Sequence, residues 1–351
     1  MITIRLATKE DKEEWNNVVE QTDNGTIYHT WEWKQVIEQG LGDKAYYIIA
    51  ERNNDLVGVF PLFSRASLKY SKVPAFFKNT FQVLWSPHIQ VWGYGGPCIL
   101  GNDEEVFKKL FEYADNFIKK NKKIISLRVF PYKNRFETFY QKNNFTSISW
   151  QTSYLYLSKS VDELWTNLNK KHRNAVRKGR KEGLKVVEGK TESEIKEFYE
   201  CVWSDLVRYI TNKTKHQLIY SPKFLPYEYF KTIWDILVPK KMAKFYFVYY
   251  NDKIISGLVI FCYNDMAIYE HGASIREYLK LRPNNLLLWI AIEDAKKNGY
   301  KIFDLAGMPF DEQDGVYRFK AGWNGELKQL KWYYKEYRLK EIRNFKKKIF
   351  H

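Results

Sequence analysis

Cysteine is too scarce in this chain to carry architecture. Cys98, Cys201 and Cys262 are widely separated, odd in number and outside any paired metal-ligand spacing. A disulfide framework and a zinc site are therefore excluded, and each thiol is expected to behave as a small hydrophobe in a reduced compartment. No apolar run reaches the ~18 residues of a membrane span. Met1-Ile2-Thr3-Ile4-Arg5 lacks the charged start and apolar stretch of a secretory signal, so a soluble cytoplasmic protein is expected. No Gly/Ser-rich or low-complexity linker interrupts the sequence, and no P-loop, Ser/His/Asp triad or metal constellation is legible.

What is abundant is aromatic residues and positive charge. Aromatics make up 17% and hydrophobic residues 45% of 351 positions, enough for two cores rather than one. Lysine and arginine number 57 against 41 acids, a net +16. Such an excess predicts an anionic partner such as nucleic acid, a phosphorylated substrate or an acidic membrane surface. A merely solubilising surface is the alternative. The anionic partner ranks higher because the charge is concentrated.

One unit appears twice. Tyr46–Phe63 reads strand, turn at Asn53-Asn54-Asp55, strand, with Gly58 in the second strand; Phe245–Tyr263 repeats this around Asn251-Asp252 with Gly257 as counterpart. The first hairpin leads through Val91–Tyr94 to a helix over Glu104–Lys120 and a strand over Ile124–Phe130. The second leads through a strand over Met266–His271 to a helix over Pro283–Asn298 and a strand over Lys301–Leu305. Two α/β (α+β) domains, 1–150 and 151–351, are predicted, each a mixed, mostly antiparallel sheet flanked by helices. An aromatic insertion, Arg65–Ile89, marks the first copy, and a basic terminal helix from Tyr333 ends the second.

The second half concentrates the chemistry. Ser160 and Glu163 form a capping-box pattern opening a helix whose Leu164, Leu168 and Ala175 face inward. Lys170, Arg173, Arg177 and Lys181 line one face, and seven cations with no acid lie between Lys170 and Lys181. Like charges at this spacing repel by a few tenths of a kcal/mol per pair, a cost that an anionic ligand offsets. Arg282-Pro283-Asn284-Asn285 opens the next helix with proline in its first turn and exposed amides, an anion-friendly end. Asp304 falls at a strand end, and Glu270 and His271 flank another. Each can orient or deprotonate a bound nucleophile, although loop capping is the first expectation for Asp304 and a hydrogen-bonded pocket or core place for His271. Gly315-Val316-Tyr317-Arg318-Phe319-Lys320-Ala321-Gly322-Trp323 reads as a glycine-bounded loop presenting Phe319 and Lys320.

The order and spacing of these segments resemble the Fem family of aminoacyl-tRNA-dependent peptidyltransferases, within the GNAT acyltransferase superfamily. The resemblance implies two tandem GNAT-like domains. It also implies a Phe319-Lys320 pair beside the reacting ester, with Lys320 stabilising the donor end or the developing oxyanion and Phe319 presenting backbone groups to the same site. By the same resemblance, Lys34, after Tyr28-His29-Thr30-Trp31-Glu32-Trp33, joins Arg173 or Arg177 on the diphosphate of a nucleotide- or lipid-linked cell-wall peptide precursor. The glycine-rich loop with which ordinary GNAT enzymes hold coenzyme A pyrophosphate is missing at Arg282–Asn285. Aminoacyl-tRNA is therefore the expected donor, with no separate cofactor and no metal. Acyl-CoA-dependent N-acylation and non-catalytic RNA binding through the basic helix are the rival readings. One departure stands out: Phe130 precedes Pro131 where Fem-like proteins often place an acid.

Overall fold

The computed structural model describes residues 1–64, 88–90, 93–121, 124, 126–133, 135–211 and 225–337. They divide into two compact units: residues 1–149 with 331–337, and residues 150–211 with 225–330.

In the first unit β1 (Ile2–Leu6) runs antiparallel to β2 (Lys44–Arg52), with α1 (Lys12–Gln21) and α2 (Trp31–Leu41) between them. The Thr30 side chain caps α2, and Gly42, at φ 68°, ends it. β2 and β3 (Asp55–Ser64) form a hairpin. Its turn residues Asn53 and Asn54 both lie in the left-handed region, at φ 54° and 70°, the conformation that two-residue hairpin turns require. β4 (His88–Gln90) and β5 (Cys98–Ile99) each pair with β3. α3 (Glu104–Lys120), capped by Asp103, precedes β6 (Ser126–Val129), which is parallel to β4, and α4 (Glu137–Lys142) follows.

In the second unit β7 (Thr146–Tyr156), whose first residues belong to the first unit, leads to α5 (Val161–Asn167) and α6 (Lys170–Lys181). Then come β8 (Lys185–Glu188), α7 (Glu192–Thr211) and α8 (Tyr227–Ile236). The hairpin of β9 (Ala243–Tyr250) and β10 (Lys253–Tyr263) follows, turning through left-handed Asn251 and Asp252. β11 (Met266–Ser274), α9 (Pro283–Lys297), β12 (Ile302–Asp304), α10 (Gly315–Ala321) and β13 (Glu326–Glu336), whose residues from Lys331 on belong to the first unit, complete the described chain. The strand order is β7-β12-β11-β10-β9-β8. Leu164, Leu168 and Val176 of the α5–α6 region join Leu286, Trp289 and Ile292 of α9 over Leu258 and Ile260 of β10 in one buried core. This is the α/β arrangement of mixed sheets flanked by helices that the sequence predicts.

Four details differ from the sequence expectations. The helix begun at Ser160 is two helices, because the Asn169 side chain accepts the His172 N–H at 2.8 Å and caps a new helix after extended Leu168. Ser160 and Glu163 do form the capping box. Residues 315–321 are a helix rather than a loop, because Asp314 caps it by accepting the Val316 N–H at 2.6 Å. Glu270 and His271 lie inside β11 instead of at its end, since Gly272, Ala273 and Ser274 stay paired with β10. Finally, Tyr333–Glu336, expected to start a helix of the second domain, is strand paired with β6 of the first unit. The rest of that basic end, residues 338–351, and residues 65–87 of the aromatic insertion lie outside the described residues.

Candidate functional site

The second unit opens where two parallel strands part. β11 and β12 pair only through Met266–Ile302, Ala267–Phe303 and Ile268–Asp304. Beyond that point β11 follows β10, and its register slips by one residue so that Glu270 is extra. The chain after Asp304 turns away through left-handed Ala306, at φ 58°. Open α/β sheets accommodate ligands beyond the carboxyl ends of such strands.

Lys320 points into this region from α10. Its Nζ donates to the Gly307 carbonyl at 2.7 Å and lies 5.2 Å from the centre of the Tyr269 ring. The residue is only 7% exposed. Burial disfavours the ammonium and lowers its pKa to about 8, against the opposing pull of the Asp304 charge. Asp304 is fully buried. Its Oδ1 accepts the Thr152 hydroxyl and, at 2.7 Å, the Ala306 N–H, so it fixes the turn of the parting strand. Gly272 and Gly307 leave room for rings: a Cβ on Gly272 would lie 1.9 Å from the Tyr269 hydroxyl, and one on Gly307 would meet Trp150 at 2.4 Å.

The other expected residues take the following places. The Phe319 carbonyl accepts from His172 Nε2 at 2.8 Å, and its ring packs beside His172 and Trp323. Arg173 reaches back through Nη1 to the Thr166 and Leu168 carbonyls, closing the end of α5. Arg177 is exposed on the same helix, its guanidinium 5.4 Å from the Trp165 ring centre. Arg282 is exposed at the start of α9 in the left-handed region, at φ 66°, and Gly179 of α6 packs close to its carbonyl. Lys34 lies in the first unit, paired with Glu38 at 2.8 Å and 5.1 Å from the Trp31 ring centre.

His271 is held among Phe198 and Phe230, and burial pushes its pKa down to about 4. The Glu270 carboxylate accepts the Tyr229 hydroxyl at 2.7 Å. Phe130 stacks on Trp332 at 4.4 Å, so aromatic packing occupies the position where Fem-like proteins often place an acid. All three cysteines are buried and free. Among the described residues, no group of three or more His, Cys, Asp or Glu is placed to hold a metal. Tyr269 and His172 escaped the sequence reading. The Asn169-x-x-His172 spacing is the sequence signal for the second, an N-cap set among seven cations.

Residues 167–321 match the acetyltransferase (GNAT) domain family. They span the basic helix, the parting strands and Lys320, so the described residues of the match lie within the second unit. The chain as a whole has a tandem, Fem-like GNAT fold. It is similar to the crystal structure of FemX, with a TM-score of 0.65 and 15% identity over 94% of this chain and 96% of that one. It is also similar to the C-terminal domain of a putative lysylphosphatidylglycerol synthetase from Agrobacterium fabrum, at TM-score 0.59 and 11% identity over 93% and 91% of the two chains. A tandem GNAT protein from the clavulanic acid biosynthesis pathway superposes at TM-score 0.58 with 8% identity over 96% and 98%. At these identities the likeness is one of fold. No curated protein sequence matches the chain significantly.

Proposed function

We propose that this acyltransferase moves an amino acid from charged tRNA to an amine of a cell-wall peptide precursor. The observation that carries the reading is Lys320, a nearly buried ammonium donating to a carbonyl where two strands part. The acceptor amine attacks the ester carbonyl, the C–O bond to the tRNA ribose breaks, and the proton lost by the amine leaves with the ribose hydroxyl. Lys320 stabilises the oxyanion formed on the way, and a cation fixed in a partly dry site is effective at this. Positioning of the two substrates supplies the remainder of the acceleration.

Arg173 and Arg177 in the second unit are proposed contacts to acceptor phosphates, guanidinium groups suiting bidentate recognition, and Lys34 is a proposed phosphate contact in the first. Arg282 offers a further cation at the start of α9. The net charge of +16 suits a polyanionic donor. The reading places the protein in the cytoplasm, with peripheral contact to anionic membrane through its basic end. The match to an acetyltransferase family favours a second reading, in which the donor is acyl-CoA and the acceptor an envelope sugar or peptide.

Transfer assays with charged tRNA test the role of the lysine. Replacing Lys320 by Met should lower kcat on the order of a hundredfold or more while leaving donor binding nearly unchanged. Undiminished turnover would remove Lys320 from the chemistry.

A further inference from the structure

Four hydrogen bonds tie the start of the basic helix to the segment bearing Lys320. Asn169 N–H donates to the Gly322 carbonyl at 3.1 Å. The Asn167 and Asn324 side-chain amides each donate to the other's backbone carbonyl, at 3.0 and 2.7 Å. The fourth is His172 Nε2 to the Phe319 carbonyl at 2.8 Å. A carbonyl can only accept, so the proton resides on Nε2. Nδ1 then faces Asn169 Oδ1 at 3.1 Å, an oxygen that already receives the His172 backbone N–H. The imidazole stands edge-on to Trp323 at 5.2 Å. Opposite it is Gly322, where a Cβ would lie 2.2 Å from the ring, so the glycine is required for the histidine to seat.

We propose that His172 is a positioning residue for Lys320: its Nε2–H holds the last turn of α10 so that the neighbouring ammonium stays buried against Gly307 and Tyr269. The geometry carries this. Phe319 directly precedes Lys320, so the carbonyl that His172 grips belongs to the peptide unit from which the lysine springs. A helix of seven residues has little stability of its own, and its register depends on contacts at its ends. Burial lowers the His172 pKa, and the Nε2–H that the clamp needs is present in the neutral Nε2–H tautomer and in the imidazolium alike. The ring faces Asn169 on its own helix and Phe319, Gly322 and Trp323 opposite, none of them titratable. The titratable neighbours of Lys320 are Asp304 and Tyr269.

The inference rests on the role given to Lys320 above, but its test needs no substrate. Full-length protein isotope-labelled at lysine Cε is titrated by NMR, with the Lys320 signal identified by its loss in Lys320→Met. Wild type and His172→Gln, which keeps an N–H donor, should both titrate near pH 8. His172→Phe, which keeps the ring but not the donor, should titrate at least one pH unit higher, toward the ordinary lysine value of 10.5. If the Phe variant does not fold, Gly322→Ala displaces the same ring and should give the same shift. A folded variant of either kind with an unchanged Lys320 midpoint overturns the clamp.

In transfer assays His172→Phe should lower kcat on the order of tenfold at unchanged KM, and His172→Gln should recover it. A change confined to KM also counts against positioning. Failure of wild type to consume charged tRNA would instead remove the proposed donor and leave the NMR result standing.

Discussion

The transition-state role proposed for Lys320 requires that it carry its proton. With its pKa lowered to about 8, the transfer rate should decline as pH rises through 8, and a rate that climbs there identifies a base instead. The same burial has a thermodynamic consequence. Between pH 8 and 10.5 the unfolded chain binds a proton that the folded lysine has lost, so this residue makes stability rise with pH in that window. Below pH 8 the cost of burying the charge is fully present, on the order of 3 kcal/mol. Lys320→Met should therefore melt no lower than wild type at pH 7, and the difference between them should move in favour of wild type toward pH 10. Calorimetry at several pH values measures both. Phe319 and Lys320 stand out in the sequence only through the family resemblance. The burial of Lys320 was not legible, since the nearest partners, Gly307 and Tyr269, are 13 and 51 positions away (320 − 307 and 320 − 269). His172 was hidden by the cations around it.

The repeated hairpins show why each half carries a glycine at the matching place. A Cβ on Gly58 would meet Val106 at 2.9 Å and Leu110 at 3.3 Å; on Gly257 it would meet the Phe198 ring at 2.3 and 2.6 Å. In each copy a helix lies too close to the strand for a side chain. Alanine at either position should destabilise by about 1–3 kcal/mol, with Gly257→Ala the worse because the aromatic ring there is wedged among Phe230, Phe245 and Phe247. Denaturant melts of the two variants decide the order. These hairpins were readable because Asn-Asn and Asn-Asp specify their turns locally. The break at Leu168 and the helix at Gly315 were missed although Asn169 and Asp314 are ordinary N-caps. Pairing of Tyr333–Glu336 with β6 has no local signal at all, since nothing in a strand's own composition names a partner some 200 residues earlier.

At the scale of the molecule a strongly basic sequence accompanies, among the described residues, the buried cation of Lys320. If the donor is a polyanion, its binding should weaken steeply with salt, by roughly a thousandfold between about 50 and 200 mM for six phosphate contacts. Arg177→Glu should flatten that dependence, as fluorescence anisotropy with labelled tRNA measures. A flat salt response would move the basic helix to a purely solvating role. The most direct measurement is donor consumption. Purified protein is incubated in parallel with charged tRNA and with acyl-CoA, an amine-bearing peptide precursor being present in both, and the products are read by mass spectrometry. The account predicts a precursor heavier by one aminoacyl group with charged tRNA, little product with acyl-CoA, and loss of that product in Lys320→Met. Transfer from acyl-CoA alone, at equal rates with and without Lys320, would contradict it.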